Sequence, residues 1–148
     1  MTDIVDKATR SRMMSKIKGK NTKPEKIVRS ALHASGFRFR LHRRDLPGKP
    51  DIVLSKHRAV IYVNGCFWHG HDCSLFKWPK TRKDFWKHKI TETMLRDKRN
   101  YEELINLRWR VCIVWECSIR SRSFQEQQLT MKKLFKWLCT DNTFTEIQ

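Results

Sequence analysis

The apolar positions of the chain change period several times, and each change marks an element. Thr22-Lys-Pro-Glu25 has the residues of a helix start: a hydroxyl cap, proline in the first turn and an acidic residue three positions on. Ile27, Val28, Ala31 and Leu32 then share one face, and Gly36 stops the predicted helix. Phe37 to Leu41 alternates with period two, as a half-buried strand does. A basic loop from His42 to Lys49 leads through Leu46-Pro-Gly-Lys-Pro50 into a short apolar strand, Asp51 to Leu54. Ser55 to Arg58 is the turn. Ala59 to Val63 is apolar nearly throughout, which predicts a central strand buried on both faces. An antiparallel hairpin of these two strands would bring Asp51 next to Val63 and Asn64.

Beyond Trp78-Pro79, Thr81-x-x-Asp84 looks like another capping box. The segment from Phe85 to about Leu107 reads as helix, with Phe85, Met94, Tyr101, Leu104 and Ile105 on one side. Thr91-Glu-Thr93 blurs its middle, so it is one bent helix or two. Arg108 to Trp115 is a third core strand, with Trp109 and Trp115 inside. Ser123-x-x-Glu126 caps a last helix whose buried side carries Met131, Leu134, Phe135 and Leu138. The predicted organisation is one α/β domain over residues 22–139, with a basic arm at 1–21 and a frayed tail at 140–148.

Charge narrows the partner. Among 148 residues there are 32 Lys+Arg against 15 Asp+Glu, a net charge of +17, and the pI is about 10.1. Such an excess points to a polyanion, nucleic acid first. No stretch is long and apolar enough to span a bilayer, and no signal peptide opens the chain, so a membrane partner is not expected. Five cysteines, an odd number without disulfide-framework spacing, fit a metal site in a cytoplasmic protein better than a secreted scaffold. The arm carries Lys7, Arg10, Arg12, Lys16, Lys18 and Lys20 around Met13-Met14, residues suited to phosphate contacts.

The densest chemistry lies at residues 65–73, Gly-Cys-Phe-Trp-His-Gly-His-Asp-Cys. Thiolate and neutral imidazole are the usual zinc ligands, and a structural zinc needs four. Cys66, His69, His71 and Cys73 supply all four, or three of them with a fourth from elsewhere and one histidine left free. A free imidazole on a metal-braced loop makes a natural general base. Phe67 and Trp68, between the ligands, are pushed outward if the ligands turn inward. Asp51, after Pro50, begins a Pro-Asp-strand-turn-strand pattern that resembles the start of the PD-(D/E)xK nuclease motif. The second half of that motif is absent: Val63, Asn64 and Gly65 stand where its acidic residue and lysine would lie. His69 is the nearest candidate for the missing base. Cys112 and Cys139 lie on apolar faces and read as core. His33, His42, His57 and His88 read as surface, and Trp86 reads equally well as core or as exposed.

These features together resemble the very-short-patch mismatch-repair endonucleases, the Vsr family. The resemblance rests on Pro-Gly-Lys-Pro-Asp51, Gly65-Cys-Phe-Trp-His69, Phe85-Trp86, Arg96-Asp97, Trp109-Arg-Val and Val114-Trp-Glu-Cys117, with Asp6 to Arg12 and Met14 in the arm. It covers about residues 6 to 139. It implies a restriction-endonuclease-like fold, a mixed sheet flanked by helices with one structural zinc. It implies a monomeric, nucleoid-associated bacterial-type enzyme, functionally paired with a DNA cytosine methyltransferase. The implied substrate is a T·G mismatch left by deamination of 5-methylcytosine, nicked 5′ to the T with Mg²⁺. Carried over by position, Asp51 would bind Mg²⁺ with the main-chain carbonyl of Val63, and His69 would be the general base. Cys66, His71, Cys73 and Cys117 would bind zinc. Phe67, Trp68 and Trp86 would wedge into the base stack, and Met14 would reach the opposite groove. Glu25 and Asp97 would support the metals from behind. Position 64 often carries His or Asp in the family; Asn64 cannot titrate, but its carbonyl can ligate or orient a water. Two rivals remain at the level of sequence. One is a zinc-braced DNA-binding protein without catalysis; the other is a restriction-type nuclease that cuts both strands of paired DNA.

Overall fold

The structure, a computed structural model, describes residues 21–148. Of the expected basic arm, residues 1–20, Met14 among them, lie outside the described residues.

Five strands form one sheet in chain order, β1 (Arg40–Leu41), β2 (Ile52–Leu54), β3 (Ala59–Asn64), β4 (Arg110–Trp115) and β5 (Phe144–Ile147). The first two pairings are antiparallel and the last two parallel. Antiparallel β2 and β3 need only a short turn, a 3₁₀ piece at Ser55–His57 with Arg58 at φ 52°. Parallel β3 and β4 need a crossover, and helix α2 (Lys83–Asn106) provides it. The other α-helices among the described residues are α1 (Lys23–Ala34) and α3 (Phe124–Leu138).

Period-two alternation sorts the strand residues onto two faces. Ile52, Leu54, Ile61, Cys112 and Val114 face Val28 and Leu32 of α1 and Met131, Leu134 and Leu138 of α3. Val53, Val60, Tyr62, Val111 and Ile113 face Leu104 of α2 and Trp109. The result is three layers, with the sheet buried on both sides, as the unbroken apolar run of β3 requires. Among the described residues, no helix is long and apolar enough to cross a membrane.

Helix starts follow the capping chemistry in two of three cases. The Thr22 side chain accepts from Glu25 N–H, and Ser123 with Glu126 forms a complete capping box. Thr81 does not cap α2. The residue before that helix is Arg82, at φ 53°, with no side-chain cap; its guanidinium lies 4.2 Å from the Phe85 ring centroid.

Several expectations are corrected. The segment from Phe85 lies in one helix of 24 residues, one of the two alternatives, and Tyr101, Leu104 and Ile105 pack on the core as expected, whereas Phe85 and Met94 are exposed. The first strand shrinks to two residues, although Phe37 and Phe39 still pack on the core. Residues 140–148 are not a frayed tail: Phe144–Ile147 pairs with β4, and Ile147 is buried. Cys139 is exposed, because it caps the end of α3 beyond the last residue of the buried stripe. His42 is half-buried rather than on the surface, since it is drawn to the buried Glu25 carboxylate. Cys112, Trp109 and Trp115 are core residues as expected.

Candidate active site and metal-binding cluster

Strands β3 and β4 run parallel, so their C-terminal ends lie side by side, with Asn64 opposite Trp115. The chain leaves β3 into the Cys/His loop and leaves β4 into a 3₁₀ turn, Glu116–Ser118. Loop and turn therefore meet. Cys66, His71, Cys73 and Cys117 each offer one ligand atom, and all four atoms lie within 4.8 Å of one another. Cys117 Sγ is 3.6 Å from His71 Nδ1, and the backbone N–H of Cys117 donates to Cys66 Sγ at 3.3 Å. Burial, first of all, pushes the Cys66 and Cys117 thiols above the ordinary thiol range. Three sulfurs and one imidazole around a small buried point fit a tetrahedral thiophilic cation. His69 is not in this group.

The loop's return is held by Gly70 at φ 65°, where a Cβ would stand 2.6 Å from Met94 Sδ and 2.9 Å from Ile90 Cγ2. Only glycine lets the loop lie this close to α2. That approach carries His69 to Asp97 on α2, with Nδ1 2.5 Å from Asp97 Oδ2. A carboxylate on Nδ1 fixes the proton there and leaves Nε2 as the basic nitrogen.

Asp51 enters from the other side. The β2–β3 register pairs Ile52 with Ile61, and Asp51 Oδ2 accepts a 2.8 Å hydrogen bond from Val63 N–H. Burial is the main reason its carboxyl is pushed up to about 6; the Val63 N–H pulls against it, Glu25 adds to it, and His42 and His69 oppose it. Glu25, His42 and Asp51 form a second group whose ligand atoms lie within 4.8 Å. Glu25 is 1 % exposed, yet satisfied: Oε1 meets His42 Nε2 at 2.6 Å and Oε2 accepts from Asn21 N–H at 3.0 Å. Oxygen donors dominate this set, and oxygen suits a hard divalent cation.

Asn64 is buried, and its Nδ2 donates to Tyr101 Oη at 3.0 Å. Burial holds that phenol far above its ordinary range, so it stays protonated. The Asn64 amide is thus oriented, with its nitrogen committed to Tyr101.

Asp51, Val63, Asn64, His69 and Asp97 all line one open cleft of about 1000 Å³, with Phe67 and Trp68 on its rim. Phe67 packs edge-on to both Trp68 and Trp86, at 5.2 and 5.4 Å, and stacks on Phe76 at 5.9 Å. These aromatics are neither core nor free: Phe67, Trp68 and Trp86 are half-buried in a cluster of their own. The structure thus gathers Asp51, Val63, Asn64, His69, Asp97, Phe67 and Trp68 around the cleft, with Glu25 beside Asp51 and Trp86 against Phe67, and sets Cys66, His71, Cys73 and Cys117 in a cluster of their own. It adds His42, Tyr101 and Gln148, whose Oε1 is 2.6 Å from His71 Nε2. No local pattern marks these three; their partners lie 17, 37 and 77 residues away in the chain.

A sheet that presents a half-buried carboxylate, an imidazole–carboxylate pair and a rim of aromatics in one cleft, on a chain of charge +17, is built as a hydrolase for nucleic acid. Comparison with known proteins narrows this. The profile of the family described as DNA mismatch endonuclease Vsr matches residues 2–75. The chain is 43 % identical over 147 residues to the DNA mismatch endonuclease Vsr of Escherichia coli, covering 99 % of this chain and 94 % of that one. It is 47 % identical over 129 residues to the type II nicking enzyme V.XorIIP of Xanthomonas oryzae, covering 87 % and 95 %. It is 44 % identical over 129 residues to V.NmeAIP, a type II nicking enzyme of Neisseria meningitidis, covering 87 % and 92 %. The chain belongs to the Vsr family: it is a DNA mismatch endonuclease.

Proposed function

We propose that the enzyme nicks one strand of duplex DNA at a T·G mismatch, on the 5′ side of the T, with Mg²⁺, and that these mismatches arise by deamination of 5-methylcytosine. One observation carries the reading. Asp51, bonded to the end of β3, and the His69–Asp97 pair open into the same cleft beneath the aromatic rim.

Each residue then has a task. Asp51 binds the cation together with the Val63 carbonyl, and Glu25 supports it from behind. A divalent cation held there would supply electrostatic stabilisation of charge developing on the phosphate and would make a bound water more acidic. His69 takes the proton of the attacking water on Nε2, while Asp97 holds the ring and offsets the charge it gains. The water oxygen forms a bond to phosphorus as the bond from phosphorus to one sugar oxygen breaks, and that oxygen takes a proton from solvent to leave as a hydroxyl, so the strand is nicked. Asn64 is free to offer Oδ1 to a water or to the cation, because Tyr101 takes its nitrogen. Cys66, His71, Cys73 and Cys117 hold Zn²⁺, which braces a loop with no helix or strand of its own.

Phe67, Trp68 and Trp86 wedge into the base stack. Unstacking costs a few kcal/mol and costs less at a mispair, so the wedge itself discriminates. The arm, residues 1–21 with Met14, reaches the opposite groove. We take the sheet and its helices as a restriction-endonuclease-like domain that works as a monomer on the nucleoid, alongside a cytosine methyltransferase.

The test is nicking of end-labelled duplexes carrying T·G, T·A and C·G at one position, with Mg²⁺ or with EDTA. A single cut 5′ to the T, in T·G only and with Mg²⁺ only, is expected. Cutting of both strands of paired DNA would replace this reading with that of a restriction enzyme.

A further inference from the structure

The C-terminal strand ends on the thiol–imidazole cluster. His71 Nδ1 lies 3.6 Å from Cys117 Sγ, so Nδ1 is the nitrogen that faces the sulfurs. Its other nitrogen, Nε2, meets Gln148 Oε1 at 2.6 Å. With Nδ1 given over to a cation, Nε2 carries the ring proton, and the bond runs from Nε2–H to the amide oxygen.

A second contact from the same strand reaches His71 through one intermediary. The His71 ring lies flat on Trp115, with centroids 4.1 Å apart and planes 9° apart. The Trp115 indole N–H donates to Glu146 Oε1 at 3.0 Å. The strand register explains both contacts. Strand β5 runs parallel to β4 with Ile113 opposite Glu146 and Val114 opposite Ile147. Residues 146 and 148 alternate with Ile147, which is buried, so one apolar anchor holds two polar side chains beside the end of β4.

We propose that Gln148 is a positioning residue of the metal cluster, and that β5 acts as a strap which keeps the cation in place by fixing the tautomer and the plane of His71. An acceptor on the remote nitrogen of a metal-ligating histidine orients the ring and raises its basicity. The effect reaches the cleft as well, because His69 lies two residues before His71 on the same loop. The inference rests on the zinc reading proposed above, and the test separates the two.

Zinc release from freshly purified full-length protein is followed with a chromogenic chelator in excess. Gln148→Ala, and Gln148→Lys with only donors to offer, should lose zinc roughly tenfold or more faster, since such outer partners are worth about 10–100-fold in metal affinity. Gln148→Glu keeps an acceptor and should lose zinc at the native rate or more slowly. Gln148 is exposed, so all three variants should fold. Native release rates for the Ala and Lys variants would overturn the proposal. Equal acceleration in the Glu variant would overturn it too, by assigning the effect to lost contact rather than to the hydrogen bond. Zinc-free native protein would sink both readings, whereas zinc-bearing protein with unmoved rates sinks this one alone.

Discussion

Two clusters of ligand-type side chains stand at the edge of the sheet, one beyond the ends of β3 and β4 and the other between α1, the end of β1 and the start of β2, and they differ in nearly every respect. Cys66, His71, Cys73 and Cys117 are sulfur and imidazole, four in number, with Cys66 fully buried. Glu25, His42 and Asp51 are mainly oxygen, three in number, with Asp51 lining an open cleft. A closed soft set holds a cation for structure; an open hard set leaves positions for water and phosphate. One loop serves both. It gives Cys66, His71 and Cys73 to the closed cluster, and it brings His69 to Asp97 in the cleft. On the reading proposed above, the contrast separates the two jobs: a metal bound in the closed cluster would brace a loop without helix or strand, and so hold His69 in register in the cleft.

The largest effects should come from the closed cluster. Cys117→Ala and Cys73→Ala should lose zinc and cooperative unfolding together. Structural zinc sites contribute on the order of 10–16 kcal/mol in small peptides, against roughly 5–15 kcal/mol of net stability for a typical domain. Elemental analysis and thermal melts check this. Zinc retained in His71→Ala but lost in His69→Ala would reverse the ligand choice. Asp51→Ala should do the opposite: nicking lost, zinc kept, melting no lower than native, DNA binding without Mg²⁺ unchanged.

What was legible in the sequence follows the same division. The hairpin was legible because Asp51 and Val63 flank two apolar runs joined by a short turn, and local pairing fixes their meeting. The nine-residue loop was legible because metal ligands at close spacing have few other uses. The partner residues were not. Glu146 and Gln148 gain their meaning only when β5 pairs with β4, some thirty residues upstream, and a four-residue strand with one buried side chain has no periodicity to read. His42 looked like one more polar residue of a basic loop until α1 brought the buried Glu25 against it. Arg82 starts α2 through a left-handed backbone and an aromatic contact, where Thr81 carries the more usual signal.

The next effect down is catalytic. His69→Ala should slow single-turnover nicking by about 10²–10⁴-fold, the usual worth of a general base, with zinc content unchanged. Below it comes a gain in stability. Asp51 has its carboxyl raised to about 6 in the fold, above its ordinary value of 3.8. A raised folded value means that its stabilising contribution is complete below about 3.8 and is lost as pH rises through about 6. Zinc-loaded, Mg²⁺-free Asp51→Asn should therefore be more stable than native protein at pH 8, by at most ~3 kcal/mol, and the gap should narrow toward pH 5.5. Urea unfolding across pH measures it. A gap that does not change with pH would mean that Asp51 is not strained by its burial.

The smallest effect belongs to Asn64, a buried amide at a position of the cleft where a titratable side chain could have stood. If the position moved a proton, Asn would disable it, and the enzyme would be slow. The geometry argues otherwise. Asn64 is 4 % exposed, and its Nδ2 is tied to the Tyr101 hydroxyl at 3.0 Å, so the side chain is fixed and its oxygen is the group left to act. Asp51, the Val63 strand end and the His69–Asp97 pair already provide carboxylate, carbonyl and base. Asn64→Ala should therefore cost less than His69→Ala, chiefly through the freed Tyr101 hydroxyl and a lost oxygen. Asn64→Asp keeps the shape but adds a second carboxylate to the cleft that Asp51 lines, and it should lower the Mg²⁺ concentration needed more than it changes the rate at saturation. Asn64→His should change the rate only modestly. Single-turnover nicking of one T·G duplex across pH, at saturating Mg²⁺, ranks the variants. A large gain for Asn64→His together with a new ionisation in its pH profile would mean that the position does carry a proton, and that Asn64, not the open cluster, sets the rate of this enzyme.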